Sequence, residues 1–149
     1  MKFSIQKQDL QKTLTEHLKV VPLRTTLPVL TCALFEVKKQ TLKIKTTDLD
    51  QTIISKLNIT NGEEGSVAIP IGKLTEIINA MPNEETRFEI TEENLVEINN
   101  NQGAYKITGR NKDEFPEKNE EETQQNLVFK GEDFLDIVEK TSYAASKDD

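Results

Sequence analysis

The order strand, helix, three strands occurs twice along this chain, and the repeat constrains its fold more than any other feature. In the first copy Phe3 and Ile5 alternate with polar residues, as a half-buried strand requires. Leu10, Leu14 and Leu18 then recur every four residues, which places them on one face of a helix. Pro22 and Pro28 stop that helix, because neither can continue its hydrogen-bond ladder. Residues 29–37, 41–46 and 52–59 are rich in β-branched side chains and read as three strands, the first two joined by a short hairpin at Lys38-Lys39-Gln40. The second copy runs as a strand over 66–70, a short helix over 72–80 ended by Met81-Pro82-Asn83, and strands over 87–91, 95–99 and 104–108. Shifting the chain by 64 residues superposes Phe3 on Val67, Ile5 on Ile69, Leu10 on Leu74 and Leu14 on Ile78. The expected fold is therefore α+β: two βαβββ half-domains over residues 1–116, with the helices on one face of antiparallel sheet.

A further echo appears near the C-terminus. A shift of 124 places Ile5 on Phe129, Asp9 on Asp133, Leu10 on Phe134, Leu14 on Val138 and Val20-Val21 on Ala144-Ala145. Residues 127–149 thus read as the first strand, Leu127-Val128-Phe129, and the helix, over 132–145, of an incomplete second domain. Residues 117–126 read as an acidic linker between the two. A lone strand and helix cannot bury their own apolar face, so the chain reads as the front of something longer.

Composition narrows the chemistry. The 149 residues suit one complete domain. No run of 18 apolar residues occurs, and Met1-Lys2-Phe3-Ser4 turns polar too soon for a secretory signal, so a cytoplasmic location without a membrane partner is expected. One cysteine, Cys32, excludes a disulfide framework, and one histidine, His17, leaves little for a metal site or a proton relay. His17, next to Leu18 on the first helix, reads as a partly exposed surface residue, and Cys32 as a small core residue. The formal net charge of −7 disfavours nucleic acid without excluding it, since a phosphate contact needs only a local basic face. Four glutamates against one lysine in Glu117-Lys118-Asn119-Glu120-Glu121-Glu122 supply −3 of that charge.

The motif-like stretches are mostly structural. Gly65 to Lys73 has six residues between its glycines where a phosphate loop has four, and Leu74 stands where a metal-binding hydroxyl is needed. Asp48-Leu49-Asp50 offers two carboxylates to a cation but no third ligand nearby, and fits a turn better. Asn58-Ile59-Thr60 spells a glycosylation acceptor that carries no weight without a secretion signal. No nucleophile and base can be paired, so a non-catalytic role is expected, with no cofactor and no metal. The basic residues say more: Lys7, Lys12 and Lys19 fall on the polar side of the first helix, Arg24 follows in the loop, and Lys73 opens the second helix. Together they could offer cations on one surface; diluted by Glu16 and Glu76, they equally fit an ordinary solvated face.

Five segments occur in the order and near the spacing of a known family. Met1-Lys2-Phe3-Ser4-Ile5-Gln6-Lys7, Arg24-Thr25-Thr26-Leu27-Pro28-Val29-Leu30, Thr46-Thr47-Asp48-Leu49-Asp50, Gly65-Ser66-Val67-Ala68-Ile69-Pro70 and Asp113-Glu114-Phe115-Pro116 resemble the first domain of the bacterial DNA polymerase III β sliding clamp. The resemblance runs from residue 1 to about 145 and implies a DNA-clamp domain built of duplicated βαβββ units, followed by the start of a second. It implies a replication processivity factor, not an enzyme: subunits close head to tail into a homodimeric ring around double-stranded DNA and tether DNA polymerase III, touching phosphates without reading sequence. Arg24 stands where the family has a DNA-contacting arginine, and Lys73 lies near family basic residues; Gly72 replaces another arginine of some members. Lys7, Lys12 and Lys19 join them on helix geometry alone. Tyr105 and Ile107 match apolar positions of the ring seam, while Ala104 replaces a frequent basic residue there. The family's pocket for polymerase and clamp-loader peptides falls beyond Asp149. A single domain of roughly 14 Å radius of gyration cannot surround a duplex, so weak, salt-sensitive binding is expected of these residues alone. The alternative is a stand-alone interaction module with a clamp-like fold that forms no ring.

Overall fold

A computed structural model describes residues 1–22, 24–116, 128 and 130–145. The chain divides into two compact units, Met1–Glu117 and Lys118–Asp149. The first opens with strand β1 (Lys2–Gln6) and helix α1 (Lys7–His17). A 3-10 turn, Pro28–Thr31, leads into β2 (Cys32–Lys38), β3 (Thr41–Thr47) and β4 (Thr52–Asn58). A short strand, β5 (Thr60–Glu63), precedes the second half: β6 (Gly65–Pro70), helix α2 (Ile71–Ala80), β7 (Glu85–Ile90), β8 (Leu95–Asn99) and β9 (Ala104–Thr108).

The two halves exchange their first strands. One sheet has the order β4-β3-β2-β6 and the other β5-β1-β7-β8-β9, so β6 completes the first half's sheet and β1 the second half's. Every pairing is antiparallel. Each exchanged strand also keeps a contact with its own half: Ser4 of β1 pairs with Thr60 of β5, and Ala68 of β6 bridges Arg110. All four residue pairs of the 64-residue repeat lie in one core, where Phe3, Ile5, Leu10 and Leu14 join Val67, Ile69, Leu74 and Ile78. Phe3 and Phe88 face each other across β1 and β7 and stack at 4.7 Å between ring centroids. Helices α1 and α2 pack side by side, and their apolar stripes meet the inward residues of both sheets in that core.

Three expectations need correction. His17 is not partly exposed: it is fully buried, and with Leu10 and Leu14 it forms the inward stripe of α1 at spacings of four and three. The strand expected from residue 29 starts at Cys32, because Pro28 opens a 3-10 turn over the intervening residues. The strand expected over 52–59 ends at Asn58, and β5 follows it unforeseen; its sequence, Thr-Asn-Gly-Glu, has no apolar alternation and pairs only as a sheet edge. In the second unit, α3 (Gly131–Thr141) and a 3-10 turn over Ser142–Ala144 occupy the expected helix, with Phe134, Leu135, Ile137 and Val138 exposed. The acidic run over 117–126 and the strand Leu127-Val128-Phe129 lie outside the described residues, apart from Val128.

Candidate nucleic-acid interface

The helix pair carries most of the expected cations. Gln11 Nε2 donates to Asn79 Oδ1 at 2.8 Å and ties α1 to α2. With Leu10, Leu14 and His17 inward on α1, and Ile71, Leu74 and Ile78 inward on α2, the 3.6-residue period turns Lys12 and Lys73 outward. Both are exposed. Lys7 is half-buried at the start of α1, its backbone N–H bonded to the Glu84 carbonyl. Lys19 lies past the helix end and pairs with Glu16 at 2.6 Å. That bond and the Lys19 charge, with a smaller contribution from Lys12, hold the Glu16 carboxyl below its ordinary range. The helices therefore balance Lys7, Lys12 and Lys73 against Asp9, Glu16 and Glu76, and Lys19, just past α1, adds one positive charge.

Arg24 sits apart from the helices in a shallow cleft lined by Pro22, Thr25, Leu27, Leu30, Asp48 and Leu49. Among the described residues its guanidinium has no ion pair, unlike Lys19. The opposite wall is a tightly bonded turn. Asp48 Oδ1 accepts from the N–H groups of Asp50 and Gln51 at 3.0 and 2.6 Å, and Thr47 Oγ1 accepts from the Leu49 N–H at 3.0 Å. Asp48 is thus a turn former, and one of its oxygens is committed to backbone. These bonds hold Leu49 at φ 85°, a conformation a branched side chain seldom adopts, with the side chain about half exposed on the cleft rim. Sequence reasoning missed Leu49 because strain is a property of backbone angles, not of residue type. Among the described residues no group of three metal-ligating side chains forms.

The remaining motifs resolve as structure. Gly65 to Lys73 is β6 running into α2, and a Cβ on Gly72 would meet nothing within 4 Å. Cys32 is buried beside Val29, Ala68 and Phe115, and burial pushes its thiol pKa up, which suits an inert core residue. Tyr105 and Ile107 lie on β9, the edge of the five-stranded sheet, opposite the buried Ile98 and Val96 of β8. Ile107 packs against the core, whereas Tyr105 remains 38% exposed. The structure does not bring this edge strand and the Arg24 cleft into a single site.

Residues 1–120 match the family model described as the DNA polymerase III beta subunit, N-terminal domain. A beta sliding clamp of Vibrio harveyi is 24% identical over 145 residues, covering 97% of this chain and 100% of that sequence. A beta sliding clamp of Pseudomonas aeruginosa is 27% identical over 150 residues, covering 100% of this chain and 41% of the relative. The crystal structure of the DNA polymerase III subunit beta from Pseudomonas aeruginosa superposes with a TM-score of 0.93 at 26% identity, over all of this chain and 41% of that one. The chain thus spans about two fifths of the length of the Pseudomonas relative.

Proposed function

The chain belongs to the DNA polymerase III beta-subunit family, matched through its N-terminal domain, and from that premise we propose that it serves as the first domain of a replicative sliding clamp. Its role is topological, not catalytic: a ring of such subunits surrounds duplex DNA, and tethering the polymerase to the ring supplies processivity. The single observation that carries this reading is the family match over residues 1–120, and the strand-exchanged double βαβββ core is consistent with it. DNA polymerase III and a clamp loader are the proposed partners of the whole ring, in the bacterial cytoplasm.

In this reading Arg24 makes the leading phosphate contact, supported by its lack of an internal ion pair among the described residues. Lys73 and Lys12 follow, supported by their outward exposure. Lys7, half-buried, and Lys19, committed to Glu16, rank below them. Tyr105 and Ile107 on β9 form the subunit seam, because an edge strand offers unpaired backbone groups to an added strand. The exposed apolar stripe of α3 belongs to a second domain of the same kind, packed under its own strands.

Duplex binding by the chain tests the proposal. Fluorescence anisotropy with two unrelated duplexes should give weak, sequence-independent binding that fades as salt rises. Arg24→Ala should lower the slope of log K against log salt by about 0.9, the value for one lost phosphate contact. Nanomolar affinity at physiological salt, a preference between the duplexes, or an unchanged slope in the variant would each overturn it.

A further inference from the structure

His17 is the one histidine of the chain, it is fully buried, and the phosphate contacts proposed above leave it without a role. Its two ring nitrogens meet two hydroxyls: Nδ1 lies 2.8 Å from Thr46 Oγ1 and Nε2 2.9 Å from Ser55 Oγ. Thr46 is on β3 and Ser55 on β4, in the adjacent pairs Thr46↔Ile53 and Ile44↔Ser55, so the imidazole spans the two strands diagonally on their inner face. Each hydroxyl can donate or accept, so either neutral tautomer satisfies both bonds, and a protonated ring would donate to both; what a proton adds here is an uncompensated buried charge that only opening to water relieves.

The position of this bridge along the chain gives it a use. His17 ends α1, one residue before the segment that carries Pro22, Arg24 and Leu27. Thr46 comes one residue before Thr47, where the turn holding Asp48 and Leu49 begins. Those two segments are the opposite walls of the Arg24 cleft. We infer that His17 is a positioning residue for the Arg24 cleft: it fixes the bases of both walls, and its protonation loosens them and weakens the contact of Arg24 with duplex phosphate. The placement of the walls stands on the geometry alone, whereas the duplex effect rests on the sliding-clamp reading above.

Among the described residues no charged side chain bonds to this ring, and Asp48, in the turn after β3, has its Oδ1 on the Asp50 and Gln51 N–H groups. Lys43 and Lys45 on β3 alternate to the sheet face opposite Thr46, and Lys56 on β4 to the face opposite Ser55. On α1, Asp9 and Lys12 are exposed and Glu16 is turned out to Lys19, while Lys73 and Glu76 on α2 are exposed. Burial alone pushes the His17 pKa down. The expected sign is informative: added positive charge should strengthen a phosphate contact, whereas a loosened cleft weakens it.

The test compares the wild-type chain with His17→Gln, which keeps a donor and an acceptor but cannot titrate, at pH 7.5 and 5.5. Ser55→Ala, which removes one hydroxyl, serves as a second variant. Amide hydrogen exchange, corrected for intrinsic rates, should show the bonded amides of residues 18–20, Leu27 and 48–51 losing protection together at pH 5.5 in the wild type and not in His17→Gln. The β8–β9 hairpin should stay protected throughout, and Ser55→Ala should already expose both segments at pH 7.5. Duplex affinity of the wild type should fall on the order of fivefold over the same interval, with a flat profile in His17→Gln. An acid response retained in His17→Gln, confined to one wall, or spread evenly to the β8–β9 hairpin would overturn the inference. Absence of duplex binding at either pH would sink the clamp reading while the exchange data still decide the role of His17.

Discussion

His17 and Leu49 show how single residues are set against their ordinary preferences around the Arg24 cleft. Replacing His17 with Ala leaves a void at a fully buried position and strands the Thr46 and Ser55 hydroxyls, so we expect a loss of about 2–4 kcal/mol in urea unfolding. Because burial depresses the folded-state pKa of His17, the unfolded chain takes up a proton that the folded chain refuses. The histidine contribution is therefore complete above about pH 6.5, the unfolded value, and declines as pH falls below it. Wild-type stability should drop more between pH 7.5 and 5.5 than that of His17→Gln, measured by the same unfolding midpoints. Leu49→Asn should raise stability by about 0.5–1 kcal/mol, since asparagine tolerates the positive φ and the lost side chain is half exposed. A lower melting temperature for that variant would show that Leu49 contributes packing which outweighs its strain.

Helices and edge strands divide the labour one level up. Strand β9 is half committed: Ile107 faces the core while Tyr105 emerges at the sheet edge. Tyr105→Ala should cost well under about 1 kcal/mol in stability, as partly exposed positions do. It should nonetheless abolish any concentration-dependent association seen by analytical ultracentrifugation, whereas Ile107→Ala should damage fold and association together. The short strand β5 is held differently. A Cβ built on Gly62 would lie 2.2 Å from the Lys39 carbonyl oxygen, so Gly62→Ala should force the β2–β3 hairpin aside and lower the melting temperature. Lys39 itself sits at φ 55° in that two-residue hairpin.

The strand exchange makes the two halves interdependent. Neither sheet closes without the other half's first strand, and one continuous core runs through both halves. Residues 1–116 should therefore unfold in one cooperative transition, with circular dichroism and hydrogen exchange of β3 and β8 giving the same midpoint. Val67→Ala and Phe3→Ala should destabilise both sheets, even though each residue belongs in sequence to one half. A duplicated fold built from two independent halves would instead show separate transitions.

The helices, the alternating strands and the 64-residue repeat were legible in the amino-acid order because they rest on local periodicity, and periodicity survives without a partner. The strand over 104–108 agrees with the structure on that ground; of the Leu10, Leu14 and Leu18 stripe, Leu10 and Leu14 face inward and Leu18 lies just past the helix end, partly buried against the core. The cations were legible as residues but not as a surface: Lys12 and Lys19 look alike in sequence, yet only Lys19 is committed to a carboxylate. His17 could have been read as buried, since it extends the Leu10–Leu14 stripe by three positions, but the hydroxyls that satisfy it lie 29 and 38 residues away. Strand exchange, the joining of Arg24 to the Asp48–Leu49 turn, and the edge position of β9 have no local signature. They depend on which strand hydrogen-bonds to which across the chain, and long-range pairing of that kind is chosen by burial of the shared core, not by the propensity of either strand.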